Sequence, residues 1–149
     1  MLDVAPDGTR VVAASDEHWI GVWSGNTGVM LATLFLHIRG VTDVKFAPHG
    51  SWFAGLSYYG RVMIAWDTAS LQEIRKPEPE LSKLLFDNSR RPARYGLRTD
   101  DIGTLILNDT GVALACLPAR ENWCSDISGR LWAASNDSNI EVFRLEGDL

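Results

Sequence analysis

Length, composition and charge describe an ordinary globular domain. The 149 residues are 46% hydrophobic and 22% charged, and 14 basic against 19 acidic side chains give a formal net charge of −5. This charge disfavours nucleic acids and acidic membrane surfaces as generic partners, because both require a basic field. No apolar stretch approaches the roughly 20 residues of a membrane helix, and the N-terminal residues do not resemble a secretion signal, so we expect a cytoplasmic protein that does not contact a membrane.

The first forty residues predict four short strands separated by turns. β-Branched and aromatic runs alternate with polar residues that favour turns. Pro6-Asp7-Gly8 is typical of a type I turn, and Asn26-Thr27-Gly28 indicates a second turn. The predicted strands cover residues 2–4, 11–14, 20–23 and 29–34.

The rest of the chain repeats this order of strands and turns. A second group of predicted strands covers residues 41–46, 52–56, 62–66 and 71–74, and a third, less regular group covers 84–87, 95–97, 104–107 and 111–117. A last group of three strands includes those at 130–135 and 140–145, for a total of about fifteen. Residues 79–85 also fit a short helix, because proline suits a first helical turn; the strand interpretation is preferred because a first strand is due there.

The repeat itself has a period near 40 residues. Ala5-Pro6-Asp7-Gly8 returns as Ala47-Pro48-His49-Gly50 after 42 positions, and Trp23 returns as Trp66 after 43. Ile20-Gly21-Val22-Trp23 returns as Ile140-Glu141-Val142-Phe143 after 120, three steps of 40. Such self-similarity predicts a repeat architecture in which each unit of four antiparallel strands is covered by its neighbours.

Short motifs of metal, nucleotide and hydrolase sites are missing from the sequence. It contains no CxxC, HExxH, GxxxxGK[ST], GxGxxG or GxSxG pattern, so we expect no metal, no cofactor and no catalytic residues. Cys116 and Cys124 are expected to be reduced thiols. Cys116, which follows Ala113 and Leu114, is expected to be buried.

The repeated unit resembles a WD40 repeat. The run from Val41 to Gly50 (VTDVKFAPHG) fits the first strand and turn of that family, and Trp66-Asp67 fits its Trp-Asp pair. The resemblance implies an all-β fold: β-propeller blades of four antiparallel strands, about four WD40-like units in an open or partial propeller. The units would be residues 1–37, 38–79, 80–118 and 119–149, with the third degenerate and the last lacking its outer strand.

WD40 blades contain a hydrogen-bonded tetrad of His, Ser or Thr, Asp and Trp, which pairs buried polar groups with one another. The resemblance carries these roles to matching positions, although no unit has the full set. The tetrad-like residues are His37, Ser57 and Trp66 in the second unit, Ser15 and Trp23 in the first, and Ser135 and Asp137 in the last.

The chain ends and the loops suggest function. The chain begins at a first strand and ends after a third strand, so both ends are expected to present open strand edges that favour pairing or self-association. We therefore expect the C-terminal part of a larger propeller, or a ring that closes by oligomerising. The segments 117–120, 128–130 and 140–144 also resemble the C-terminal ends of fungal NACHT–WD40 receptor-like proteins, which would imply a ligand-sensing role.

Loops between the second and third strands and between units should form the binding face. Its candidate residues are His18, Arg39, Tyr58, Tyr59, Arg120 and Asn122, with Glu17 and Asn136 nearby. The tyrosine pair is the best candidate anchor, because exposed tyrosines are enriched where interfaces are strongest. The sequence thus favours a non-catalytic scaffold for other proteins over two alternatives, a propeller enzyme with a channel site and a purely structural fragment.

Overall fold

The computed structural model of the chain describes residues 1–15, 17–36, 41–57, 63–75, 96–99, 103–108, 110–118, 120–126, 128–136 and 139–146. Within these residues the protein is all-β, with fourteen strands in four antiparallel sheets and no helix. The expected fold class is therefore confirmed. No helix among them is long and apolar enough to cross a membrane.

Four strands form each of the first two sheets. The first sheet has the order β1 (Leu2–Val4), β2 (Arg10–Ser15), β3 (Trp19–Ser24) and β4 (Met30–Phe35). The second has the order β5 (Val41–Phe46), β6 (Trp52–Ser57), β7 (Met63–Asp67) and β8 (Glu73–Ile74). In both, each strand pairs with the next one along the chain.

Three described strands form each of the remaining sheets. The third sheet contains β9 (Gly96–Thr99), β10 (Thr104–Leu107) and β11 (Ala113–Leu117), with β10 in the centre. The fourth contains β12 (Glu121–Ser125), β13 (Leu131–Asn136) and β14 (Asn139–Arg144), with β13 in the centre. The strand predicted at 84–87 and the alternative helix at 79–85 lie outside the described residues.

The repeated tight turn has one geometry in three sheets. In the turns that begin at Ala5, Ala47 and Asp126, the backbone N–H of the fourth residue donates to the carbonyl oxygen of the first at 2.9, 2.8 and 3.1 Å. The fourth residue is a glycine with φ of +69° each time, a conformation that costs a residue with a Cβ atom. The sequence repeat is therefore a repeat of backbone conformation.

The turns between β3 and β4 and between β7 and β8 explain why β8 starts later than predicted. The N–H of Gly28 donates to the Ser24 carbonyl at 2.8 Å, and that of Leu71 donates to the Asp67 carbonyl at 2.9 Å. Leu71 has φ of +57°, so it belongs to the turn. The strand predicted from residue 71 is therefore shortened to Glu73–Ile74.

Both faces of the first sheet are covered. Val11 and Val12 are consecutive on β2 and point to opposite faces, yet both are fully buried. Val12 belongs to a core formed with Val44, Phe46 and other residues of the second sheet. Val11 belongs to a second core, with Leu131 and Ala133 of the fourth sheet, so the first sheet lies between the second and the fourth.

Contact between the first and fourth sheets bears on the expected open ends. Val4 of β1 and Leu131 of β13 are both buried in their shared core. Arg144 at the end of β14 donates to Asn26 Oδ1 at 3.0 Å. The fourth sheet therefore packs against the first, and the expected larger propeller stays a prediction.

The two cysteines behave differently from the sequence prediction. Both are free thiols, as expected, but Cys116 is exposed, so the prediction that it is buried is wrong. It lies on β11, which pairs with β10 alone among the described strands, and an outer strand has less cover than a central one. Cys124 packs against the seam between the first and fourth sheets, where burial raises the pKa of its thiol well above the ordinary value.

Candidate interaction face

The strands of each sheet are joined at two opposite ends. At one end the tight turns are neighbours: a Cβ atom at Gly50 would lie 3.2 Å from Pro6 Cδ, and one at Gly8 would lie 3.4 Å from Asp126 Oδ2. The opposite ends of β2 and β13, at Ser15 and Asn136, lie about 20 Å away along a six-residue strand. We call this second end the turn face; among the described residues it includes Glu17, His18, Arg120 and Asn139.

His18 is an exposed residue of the turn face, in the β2–β3 turn. Its φ of +71° is uncommon for a non-glycine residue, although histidine is enriched among those that adopt it. Its carbonyl oxygen accepts the N–H of Leu36 at 2.8 Å, which holds the end of the first sheet beside the turn. The N–H of Glu17 donates to Ser15 Oγ at 3.1 Å.

Arg120 and Glu141 form a two-point ion pair on the fourth sheet. Arg120 Nε donates to Glu141 Oε2 at 2.8 Å, and a terminal guanidinium nitrogen donates to Oε1 at 2.9 Å. These hydrogen bonds lower the pKa of Glu141 and raise that of Arg120. The predicted contact residue Arg120 therefore presents a fixed, partly neutralised guanidinium.

Aromatic side chains support this ion pair. Trp123 Nε1 donates to the Arg120 carbonyl oxygen at 3.1 Å, and the Trp123 and Phe143 rings lie 5.6 Å apart, within the usual range for an aromatic pair. Asn122 lies between Arg120 and Trp123 on β12. The other predicted contact residues, Arg39, Tyr58 and Tyr59, lie outside the described residues.

Strand register separates the tetrad-like residues. In the first sheet Ser15 is opposite Trp19, whereas Trp23 is opposite Val11. Ser15 and Trp23 therefore lie at opposite ends of their hairpin, with their backbones about 13 Å apart along the strands. Trp23 instead packs against the core shared with the fourth sheet.

The other sheets show the same separation. Trp66 is opposite Phe53, and their rings stack with centroids 5.5 Å apart, whereas Ser57 lies at the far end of β6. Ser135 is opposite Ile140, and Phe143 is opposite Trp132. His37 and Asp137 lie outside the described residues, so the tetrad-like roles stay a prediction.

Two features of the surface were not among the predicted contacts. Glu141 was not recognised as the partner of Arg120, because the pair depends on the register of three strands. The outer strand β4 exposes large apolar side chains, and the uncharged run from Val29 to Leu36 was the available signal. No group of three or more His, Cys, Asp or Glu that could hold a metal occurs among the described residues.

Comparison with known proteins gives a distant similarity. No protein-family model matches the chain. It is similar to the Pre-rRNA-processing protein IPI3 of Mycosarcoma maydis, with 26% identity over 145 residues, which is 95% of this chain. The chain spans 24% of the length of that protein. The similarity and the four antiparallel sheets are consistent with WD40 blades, and they add no support to the resemblance to NACHT–WD40 proteins.

Proposed function

We propose that the chain is a non-catalytic WD40-repeat scaffold that binds other proteins through the turn face. The observation that carries the proposal is the repeated hairpin geometry. Three tight turns of the same conformation gather at one end. Successive hairpins alternate between the two ends, so the β2–β3, β6–β7 and β13–β14 connections, whose lengths of three, five and two residues differ from sheet to sheet, belong to the other end. Binding residues are commonly placed on such loops when a rigid sheet framework positions them.

The candidate contacts include one residue on a held backbone segment and one held side chain. His18 is exposed on a backbone held by Leu36, and Arg120 is held by Glu141. We place Arg39, Tyr58, Tyr59 and Asn122 on the same face by their positions between strands or at the start of β12. Fixed side chains lose less conformational entropy on binding, which favours affinity.

The proposed partners are inferred from the net charge of the chain and from the name of the similar protein. A net charge of −5 favours proteins over generic nucleic-acid binding. Because the similar protein is named for pre-rRNA processing, we propose that the partners are protein components of a pre-rRNA-processing assembly. The cytoplasmic location expected from the sequence remains a prediction.

Affinity capture with quantitative mass spectrometry tests the proposal. The full chain would be compared with a Tyr58→Ala, Tyr59→Ala double variant and with His18→Ala. The matched control is His49→Ala, which alters an exposed residue of the tight turn at the opposite end. We expect pre-rRNA-processing proteins to be captured by the wild type and the control, and to fall about tenfold in the turn-face variants, as for the loss of an interface anchor.

Circular dichroism of each variant establishes that it is folded. Equal capture by all variants would overturn the turn face as the binding surface. Capture of a different set of proteins, with the same dependence on the tyrosines, would retain the scaffold and overturn the pre-rRNA-processing context.

A further inference from the structure

The outer strand of the first sheet is unusually apolar for an edge. The eight residues from Val29 to Leu36 contain no charge and no proline. Val29, Leu31 and Phe35 are 59%, 46% and 76% exposed. A long apolar edge strand is a favourable template for pairing with another chain, and proteins normally protect such edges.

Two of the other outer strands carry this protection, and the third exposes no large apolar side chain of its own. β8 has two residues, Glu73 and Ile74, and Arg75 follows it. β14 contains Glu141 and Arg144. β11 is uncharged, but Val112, the only large apolar residue exposed beside it in the described chain, precedes the strand. Among these outer strands, β4 is therefore the one that is six residues long, uncharged and rich in exposed apolar side chains.

The backbone of β4 is oriented to accept another strand. The N–H of Leu36 donates to the His18 carbonyl oxygen on the β3 side. Because hydrogen-bonding groups alternate in direction along an antiparallel strand, Thr33 and Phe35 direct their N–H and C=O groups away from β3. Among the described strands β4 pairs with β3 alone, so its outer edge is open.

We propose that β4 pairs with β4 of a second copy of this chain, antiparallel, with Thr33 on the two-fold axis. This register places Leu31 of each copy opposite Phe35 of the other, on the exposed face, and Ala32 opposite Leu34. The backbone groups of Thr33 that point outward then bond to their symmetry equivalents. Each copy thereby covers the most exposed side chain of its strand.

A second copy fits this edge for two reasons. Each chain carries a net charge of −5, yet the uncharged run from Val29 to Leu36 places no like charges across the strand pair. The two-fold arrangement uses the same edge on both copies, so assembly stops at a dimer. A pair of strands about 20 Å long is at or below the ~1,200 Å² end of stable interfaces, so the dimer should form with increasing concentration.

Sedimentation velocity over a series of concentrations tests the association. The wild-type chain is expected to shift from monomer to dimer as concentration rises. Phe35→Lys should remove this shift, whereas Val112→Lys, which adds the same charge at an exposed apolar site on the third sheet, should retain it. Dimerisation unchanged by Phe35→Lys would overturn the proposal, as would a wild-type chain that is monomeric at every concentration.

Cross-linking tests the register. In a Cys116→Ser background, Thr33→Cys places two thiols across the axis, where Cα atoms of a hydrogen-bonded pair are about 5.5 Å apart, within the range for a disulfide. Met30→Cys faces Leu36 of the other copy and should not cross-link. Mild oxidation should give a covalent dimer for Thr33→Cys only, and equal cross-linking of both variants would overturn the proposed pairing.

This inference does not depend on the proposed function. β4 lies at the outer side of the first sheet, and the turn-face variants leave it intact. If the chain were monomeric and Phe35→Lys removed capture of another protein, the edge would bind a different partner and the dimer would be overturned. Loss of capture confined to the tyrosine variant would leave the dimer unaffected.

Discussion

The Asp3 carboxylate accepts the backbone N–H of Phe46 at 2.7 Å, across 43 positions of sequence. Asp3 lies on β1 and Phe46 on β5, the first strands of two successive sheets. The Phe46 side chain is fully buried in the core between these sheets. This hydrogen bond therefore joins the first strands of two successive sheets, about one repeat period apart in sequence.

Replacement of Asp3 should weaken this connection. In Asp3→Ala the N–H of Phe46 loses its acceptor, and we expect a loss of about 1–3 kcal/mol in the free energy of unfolding, measured by urea denaturation. Asp3→Asn is the matched variant, because its amide oxygen can still accept, and should lose less. Equal stability of Asp3→Ala and wild type would show that the bond contributes nothing to folding.

Leu131 tests the contact between the fourth and first sheets. It is 1% exposed and packs with Val4 and Val11. Truncation to alanine should cost about 2–5 kcal/mol and keep a single unfolding transition, followed by tryptophan fluorescence and circular dichroism. Leu97→Ala, at a residue that is 42% exposed, should cost much less. Two separate transitions in the Leu131 variant would show that the sheets fold independently.

Local features of this fold were predictable, because they depend on neighbours in sequence. The alternation of apolar and turn residues placed β2, β3, β5 and β10 close to their observed positions. The repeated glycine turns identified the unit. The Arg120–Glu141 pair could not be predicted in the same way, because it depends on register and on an irregularity between Glu121 and Cys124.

Two further differences have the same origin. Cys116 appeared buried because its neighbours are apolar, but composition does not show that β11 is an outer strand. The packing of the fourth sheet on the first joins residues more than 100 positions apart, such as Val11 and Leu131. Contacts of this range carry no periodic signal, so this packing could not be predicted from the repeat.

Gly25 and Gly28 should respond differently to alanine. A Cβ atom at Gly25 would lie 2.0 Å from the Gly8 carbonyl oxygen and 2.9 Å from Leu131 Cδ2. The backbone of the tight turn would have to move, so we expect a loss of several kcal/mol, as for overpacking. At Gly28 a Cβ atom meets nothing within 4 Å, but φ is +69°, so Gly28→Ala should cost about 1–2 kcal/mol.

Thermal unfolding of Gly25→Ala and Gly28→Ala compares the destabilisation caused by steric crowding with that caused by backbone strain. Gly111, with φ of +81° and open space at its Cβ position, provides a second strained but uncrowded site. Gly111→Ala should therefore resemble Gly28→Ala. A Gly25→Ala variant as stable as these two would contradict the close approach of the two turns.

The Arg120–Glu141 pair should make stability depend on pH. Hydrogen bonds from Arg120 lower the pKa of Glu141 in the folded state. Glu141 therefore binds its proton more weakly in the folded protein than in the unfolded chain. The pair therefore stabilises the protein fully above the unfolded pKa of glutamate, about 4.3, and this contribution is lost as pH falls through the lower folded value. NMR titration should give a higher pKa for Glu141 in Arg120→Ala than in the wild type.

Melting temperatures of the wild type and Glu141→Gln, compared over about pH 3–7, give the matching test. The wild type should melt higher near neutral pH, and the difference should shrink as the medium becomes acidic and Glu141 is protonated. Glu73→Gln, which alters an exposed carboxylate on β8, should melt like the wild type throughout. Added salt should reduce the difference at neutral pH, because the pair is partly exposed. A difference that is independent of pH would mean that Glu141 stabilises the sheet by packing and not through its charge.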